Sequence, residues 1–413
     1  MHSIKEANVK KIAGLNSHKR FSNSQLRTLS KQLRVKGKRV LVRVDFNVPL
    51  KKGKVVSDKR IREALPTITY LLKKKAKVIL ISHLGRPEGV TVDALRMKPV
   101  AERLSKLLKK KVIALPDSIG KTVREHVAAM KPGEIVLLEN VRFYAEEEQN
   151  NAEFAGYLAE LGDLYVNDAF GTCHRAHASV DAITRLLPSY SGFLLQKEIS
   201  MLTPLLSKPK RPFVVLLGGA KIRDKLPVIE KLLKRADAIL IGGAMMFTFL
   251  AAQGKEIGES LCEPEYFEIA RKLLHSKKII LPLDVSTNKG IVSCDKMKKG
   301  MKGLDIGPET EEAYVAIVKE AKTVFWNGPM GLIEQKSFAH GTIAIAKALA
   351  KAKAITLIGG GDTLEIIEKL KLEKKYTHLS TGGGATLEFL SGKNLPGLAA
   401  LDKKHPVRLQ KKR

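Results

Sequence analysis

The chain has 413 residues, is 44% hydrophobic and carries a formal net charge of +31. That length suits two domains with real cores, and three widely spaced cysteines, Cys173, Cys262 and Cys294, speak against a disulfide framework and for a reducing compartment. The longest stretch without a charged residue, Ala238–Gly254, is shorter than the ~20 residues of a spanning helix, and no apolar segment of secretory type stands near Met1.

Lysine and arginine total 73 against 42 acidic residues. Such an excess suits anionic partners, whether phosphorylated metabolites, nucleic acid or acidic membrane surfaces. Many lysines stand in short runs, such as Lys73–Lys75 and Lys109–Lys111, at the ends of expected helices. There they complement the helix dipole and face water. Aromatic residues are only 5% of the chain, which is poor for base stacking. A solvated lysine surface is therefore expected, and specific nucleic-acid binding is not.

Met1–Gly37 is basic, serine-bearing and almost free of acids. A flexible tail is the default; an over-long start and an organelle-targeting segment are the alternatives. The first strong element is Lys38–Leu50, KRVLVRVDFNVPL. Val40, Val42, Val44, Phe46 and Val48 fall on one face of a strand, and Leu41, Arg43, Asp45 and Asn47 on the other, because side chains alternate with a period of two. Pro49 cannot donate to a ladder and ends it. Arg43 and Asp45 read equally as a structural ion pair or as part of a binding site at the strand's C-terminal end, where open parallel sheets take ligands.

Further strands are expected at Lys77–Ser82, Val112–Leu115, Ile135–Leu138 and Leu164–Asp168, and helices at Asp58–Leu72, Lys98–Lys109, Gly120–Met130 and Ala152–Leu161. Pro66 should kink the first helix. This alternation implies a mostly parallel sheet covered on both faces. Tyr190–Lys208 is helical in pattern, and the break at Lys208–Pro212 marks the domain boundary. A second alternating block follows, with strands expected at Phe213–Leu217, Ala238–Ile241, Ile279–Leu283, Thr323–Trp326, Ile355–Ile358 and His378–Ser380. Asp284–Gly307, rich in Lys and Gly, reads as a long exposed excursion, and the residues from Lys403 as a second basic tail.

In the first block, basic residues recur after the strands: Arg43, then His83 and Arg86, then Arg142, then His174, Arg175 and His177. Strand ends in a doubly wound sheet converge on one crevice, so this habit implies a pocket for a small, multiply anionic ligand. With Ser57 as N-cap, Arg60 lies in a first helical turn, where the dipole disfavours a cation. Placement against a local rule hints at function; the alternative is a simple pair with Asp58 or Glu63. Cys173, His174 and His177 are too few and too close to argue a metal or thiol site.

In the second block, strands end in glycine pairs or triplets: Gly218-Gly219, Gly242-Gly243, Gly359–Gly361 and Gly382–Gly384. Glycine lets backbone N–H groups approach a ligand, and a following helix turns its positive end toward phosphate. Four such ends favour a nucleotide-binding face, without a Walker A or G-x-G-x-x-G pattern. Lys221 and Lys225, four apart, are expected on one helix face within reach of phosphates. Asp362, after three glycines, is expected to hold Mg2+, to cap its helix, or both.

The motifs RVDFNVP (Arg43–Pro49), SHLGRP (Ser82–Pro87), LLENVRF (Leu137–Phe143), VNDAFGTCHRAHAS (Val166–Ser179), LLGGAK with DK (Leu216–Lys225), WNGPMGLIE (Trp326–Glu334), IGGGDT (Ile358–Thr363) and STGGGA (Ser380–Ala385) together resemble phosphoglycerate kinase. They stand in the family's order and span nearly the whole chain. The resemblance implies an α/β fold of two doubly wound, Rossmann-like parallel-sheet domains joined by a hinge helix. It divides the chain into a basic extension (1–25), a phosphoglycerate-binding domain (26–189), an interdomain helix and hinge (190–210), a nucleotide-binding domain (211–390) and a C-terminal segment returning toward the first domain (391–413).

The same resemblance implies a phosphoglycerate site of Asp45, Phe46, Asn47, Arg60, His83, Leu84, Gly85, Arg86, Arg142 and Arg175. It implies a nucleotide site of Gly218, Gly219, Lys221, Lys225, Gly242, Gly243, Gly303, Leu332, Glu334, Gly359, Gly360, Gly361, Asp362 and Thr363. Within it Glu334 would hold the ribose and Asp362 the magnesium of ADP or ATP, with Arg60, Lys221 and Gly361 nearest the transferred group. A cytoplasmic monomer acting on small molecules, with no membrane partner, is implied as well.

The residues agree on mechanism. A carboxylate acceptor is already ionised at neutral pH, so positioning and fixed cations are what the transfer needs. Closure of the two lobes would keep water from an acyl phosphate. The rival reading, prompted by the +31 charge, is a catalytically lapsed homologue that binds polyanions.

Overall fold

A computed structural model describes residues 24–30 and 32–402. Almost all of the expected N-terminal extension, and the tail from Lys403, lie outside the described residues. The described chain up to Ser200, together with the segment from Gly392, forms one compact unit, and Met201–Ser391 forms another. No helix of the described residues is long and apolar enough to cross a membrane.

The first unit is built on a six-stranded parallel sheet. Its strands are β1 (Arg39–Arg43), β2 (Lys77–Ile81), β3 (Ile113–Ala114), β4 (Ile135–Leu137), β5 (Leu164–Asn167) and β6 (Ser189–Ser191), in the order β3-β4-β2-β1-β5-β6. Successive strands run to one side of β1 and then to the other, so the sheet is doubly wound and its switch point lies between β1 and β5. Val40, Val42, Val44, Phe46 and Val48 pack with Ile61, Ile68, Leu71, Val100 and Leu104 in one core layer. Leu41 and Ile79, on the opposite face, are equally buried, as a sheet covered by helices on both sides requires. Burial of each such side chain contributes roughly 1.5–3 kcal/mol. The segment after Gly392 joins this unit: the Gly397 N–H donates to the Cys173 carbonyl at 2.9 Å, and Leu26 bridges Asp402.

The second unit carries β7 (Phe213–Leu217), β8 (Ala238–Ile241), β9 (Ile279–Ile280), β13 (Thr323–Asn327), β14 (Ile355–Gly359) and β15 (His378–Leu379), all parallel, in the order β9-β8-β7-β13-β14-β15. Its switch point lies between β7 and β13. Every residue of these two strands is buried, and Trp326 Nε1 donates to the Gly328 carbonyl at 2.8 Å. The buried indole is thereby satisfied.

Three sequence expectations need correction. Tyr190 belongs to the short strand β6, and the helix begins at Phe193 and runs to Ser207. The division between units falls inside that helix and not at Lys208–Pro212. Asp284–Gly307 is no exposed excursion. It forms a three-stranded antiparallel sheet of β10 (Asp284–Thr287), β11 (Gly290–Ser293) and β12 (Gly303–Ile306), with Val285, Thr287, Cys294, Asp305 and Ile306 buried. The lysines of this segment crowd its turns and hide a short apolar alternation. Pro66 sits inside the helix Lys59–Lys73, which continues past it.

Candidate active site

In the first unit the chain leaves β1, β2, β4 and β5 at one edge of the sheet, and the expected basic residues follow. Two asparagines shape the floor. Asn47 Oδ1 accepts from the Gly85 N–H at 2.9 Å. Asn140 clamps Leu84 from both sides, accepting its N–H at 3.2 Å and donating to its carbonyl at 2.7 Å. The Phe46 N–H donates to Ser82 Oγ at 2.9 Å. The turns after β1, β2 and β4 are thus bonded to one another, which fixes the side chains they carry.

His83 lies at the centre. It is 5% exposed, and burial, then Arg43, Arg142, Arg60 and Arg175, hold its imidazole well below the ordinary value. The ring is neutral and ringed by four guanidinium groups. Arg142 is buried too; Nη1 donates to the Gly85 carbonyl at 2.8 Å and Nε faces Glu148 Oε1 at 3.1 Å. Burial brings its guanidinium down to about 10, against the pull of Glu148. Arg175 is half-exposed and 3.9 Å from the same Glu148 oxygen. Arg60 pairs with Asp45. Arg86 is exposed, on the loop after Gly85.

Arg43 departs from expectation. It does not pair with Asp45. It is fully buried, donating to Ser179 Oγ at 2.8 Å and to the Val44 carbonyl at 2.5 Å, with Nη2 3.2 Å from His83 Nδ1 and 3.9 Å from Glu147 Oε1. Glu147 is buried as well and takes the Ser179 hydroxyl at 2.6 Å and its N–H at 2.8 Å. Arg43 is the pillar beneath the site. Asp58 and Glu63, the alternative partners for Arg60, are engaged by Arg62 and Arg103 and by Lys197. Cys173 is buried, and desolvation pushes its thiol up. His177 is driven down to about 3 by burial and by Arg142. Neither suits thiol or acid–base chemistry.

In the second unit the strand ends stand level across the sheet. Ile241 pairs with Leu217, Leu217 with Asn327, and Asn327 with Gly359. The residues that follow are Gly242, Gly218, Gly328 and Gly360. This row of glycines has two jobs. A Cβ on Gly218 would strike the Pro329 carbonyl, and one on Gly243 would strike the Gly219 backbone, so these glycines permit close backbone packing. A Cβ on Gly361 would meet nothing within 4 Å; there the backbone is open to a ligand. Gly303 is buried against the Phe247 ring. The Leu332 N–H donates to the Leu304 carbonyl at 2.8 Å, and Glu334 is exposed on the same loop.

Lys221 and Lys225 do not share a helix face. The helix runs Leu226–Leu233 with Lys225 as its N-cap and Pro227 in its first turn, and Lys221 is exposed in the preceding loop. Burial lowers the Lys225 ammonium to about 8, against the pull of Asp224 and Asp362. Lys225 Nζ donates to Asn327 Oδ1. The helix after β14 spans Gly361–Lys369 with Gly360 as N-cap, so Asp362 sits exposed in its first turn and does not cap it. Thr363 is buried, and its hydroxyl accepts from the Gly328 N–H at 3.0 Å. Asn327, not among the expected residues, is 2% exposed, and its Nδ2 finds no hydrogen-bond partner. A Cβ on Gly359 would come to 3.0 Å from that nitrogen. An unspent buried donor beside a glycine row fits a ligand acceptor. Its signal in the sequence was its place at a strand end.

The model of the phosphoglycerate kinase family matches residues 30–393. The chain belongs to the phosphoglycerate kinase family. A phosphoglycerate kinase of Dictyoglomus turgidum is 52% identical over 384 residues, covering 90% of this chain and 97% of that protein. One of Pelotomaculum thermopropionicum is 50% identical over 380 residues, covering 89% and 97%. Among solved structures, the phosphoglycerate kinase from Coxiella burnetii matches with a TM-score of 0.80 at 39% identity, over 91% of this chain and 98% of that one. The one from Pyrococcus horikoshii OT3 gives 0.82 at 35% over the same shares.

The reaction of a phosphoglycerate kinase is the reversible transfer of the acyl phosphoryl group of 1,3-bisphosphoglycerate to ADP, giving 3-phosphoglycerate and ATP. It is a phosphotransfer with a carboxyl group as acceptor, in glycolysis and gluconeogenesis. Nothing in the arginine cluster or the glycine row favours the lapsed alternative.

Proposed function

We propose that the arginine cluster of the first unit holds the phosphoglycerate and the glycine row of the second holds the nucleotide. The observation that carries this reading is the neutral His83 ringed by Arg43, Arg142, Arg60 and Arg175. Four guanidinium groups there face three carboxylates, Asp45, Glu147 and Glu148, and with Arg86 exposed nearby the excess of positive charge suits a ligand bearing both a phosphate and a carboxylate. His83, Asn47 and the Gly85 region supply hydrogen bonds, while Arg86, Arg142 and Arg175 supply charge. Phe46 and Leu84 serve through their position, since the turns they occupy are bonded together.

On the nucleotide side, Gly219 and the N–H groups from Gly359 through Thr363 cradle phosphate at a helix start. Lys221 and Lys225 neutralise it. Gly242, Gly243, Gly303 and Leu332 border the adenosine, and Glu334 takes the ribose. Asp362 is exposed in the first helical turn after three glycines, which suits a magnesium ion carried mostly by nucleotide phosphates with one carboxylate from the protein. Bound there, the ion would neutralise charge on the phosphate oxygens.

The chain's own residues then act by position and charge. The acceptor carboxylate needs no base. Arg60, held by Asp45, and Lys221 bear on the transferring group as its charge spreads, and the open Gly361 N–H adds a donor. The helix Phe193–Ser207, inside the 190–210 segment, carries the chain between units and is the proposed hinge element. A cytoplasmic monomer completes the proposal, with Cys173, Cys262 and Cys294 as free thiols suited to a reducing compartment.

Isothermal titration with each substrate alone tests the division of labour. Arg86→Ala should lose 3-phosphoglycerate binding and keep MgADP. Lys225→Ala should do the reverse. Loss of both ligands in either folded variant would contradict it.

A further inference from the structure

The second unit carries a concentration of charge that phosphoryl transfer does not use. A groove of about 490 Å3 lies between the C-terminal turns of the helices Pro308–Glu320 and His340–Lys351. Five lysines line it: Lys319, Lys322, Lys347, Lys351 and Lys353. All five are exposed, no carboxylate lines the groove, and none of the five makes an ion pair among the described residues. The remaining lining is Val315 and four alanines.

Helix dipoles explain part of this. Lys319 and Lys351 stand in last turns, where a cation is favoured. They do not explain the rest. Lys322 and Lys353 lie beyond the helices, and Lys347 is four residues before Lys351, a like-charge spacing that destabilises a helix. Five uncompensated cations around one concavity repel each other. A cluster kept against its own repulsion points to an anionic occupant.

The groove also says what kind. It has no aromatic ring to stack a base and no arginine fork to grip a single phosphate bidentately. It offers point charges along two helix ends over a smooth alanine floor. That is an array for a chain of phosphates, read by charge alone. Its position separates it from the nucleotide site. Lys322 and Lys353 precede β13 and β14, whereas the glycine row follows those strands; Thr323 and Asn327 are about 13 Å apart along β13.

We propose that this groove binds linear inorganic polyphosphate, at a site distinct from that of the transferred phosphate. The test uses the full chain and a labelled inorganic polyphosphate in fluorescence polarisation across a salt series. One variant carries Lys319→Gln, Lys347→Gln, Lys351→Gln and Lys353→Gln. A control removes equal charge elsewhere, with Lys73→Gln, Lys74→Gln, Lys131→Gln and Lys299→Gln. Five neutralised phosphates correspond to about a 100-fold loss of affinity between roughly 50 and 200 mM salt. The groove variant should lose about three units of that logarithmic salt slope, with the control close to wild type. The melting temperature of the groove variant should equal or exceed that of wild type, because repulsion has been removed. Equal loss in the two variants would overturn the proposal, since bulk charge alone would then account for binding. Single-stranded RNA of matched phosphate number binding the groove more tightly than polyphosphate would overturn the assigned partner.

Discussion

Arg60 and Asp45 form an ion pair that joins the first turn of the helix Lys59–Lys73 to the segment leaving β1. Arg60 remains a third exposed, while Asp45 is nearly buried. The carboxylate therefore acts as a post that holds the guanidinium in place, and the helix dipole that disfavours a cation there is offset by the pair.

If that guanidinium meets the phosphoryl group during transfer, its charge matters most in the transition state. Arg60→Ala should lower turnover by about 100- to 1,000-fold, with a small change in melting temperature. Arg60→Lys should recover only part, since an ammonium cannot reproduce the planar fork. Steady-state kinetics with both substrates varied decides. A raised Michaelis constant with intact turnover would make Arg60 a binding residue only.

Arg43 makes the contrast. It is buried with Glu147 and Ser179, so Glu147→Ala should leave an uncompensated buried cation and cost about 3–5 kcal/mol of stability. Urea unfolding measures this. A loss of turnover with stability unchanged would place Glu147 in the chemistry instead.

The difference between these two arginines was beyond the sequence. Both were visible as cations, Arg43 at a strand end and Arg60 in a first helical turn. Which one is buried depends on Ser179 and Glu147, far along the chain from Arg43, and such contacts leave no local pattern. The strands were legible because β-branched runs and period-two alternation are local. The start of the helix at Leu226 was legible too, in Pro227, a residue favoured in a first turn. Placing Lys221 and Lys225 on one helix face overlooked it. Asn327 escaped notice because a lone asparagine after a tryptophan looks like ordinary turn chemistry. Its meaning lies in the level row of strand ends and the orphaned Nδ2.

Lys225 gives a pH test. Burial lowers its ammonium to about 8, and anionic phosphate would raise it again. Above about pH 8 the free protein must take up a proton to bind, so MgADP affinity should fall by up to about tenfold per pH unit. The sign for stability is opposite. Between about 8 and its unfolded value near 10.4 the unfolded chain binds more protons, so this group's contribution to stability rises with pH. Calorimetry across that range checks both, and a flat affinity profile would remove Lys225 from the phosphate site.

Asn327→Asp keeps size but places a carboxylate beside Lys225 Nζ. The ammonium should then hold its proton to higher pH, and the added negative charge should repel phosphate. The Michaelis constant for ADP should rise at least about tenfold, with its pH dependence displaced upward. Unchanged ADP kinetics would show that the orphaned Nδ2 faces no ligand.

Asp362→Asn should weaken magnesium-dependent use of the nucleotide and leave the fold intact, because Asp362 is exposed and caps nothing. Titrating magnesium at fixed ADP measures it. An unchanged magnesium dependence would assign the ion elsewhere.

The most direct measurement is a coupled assay of ATP formation by the purified chain from 1,3-bisphosphoglycerate and MgADP. The account predicts turnover that saturates in both substrates and collapses in Arg60→Ala while that variant still melts cooperatively. A folded wild-type chain that forms no ATP would contradict it.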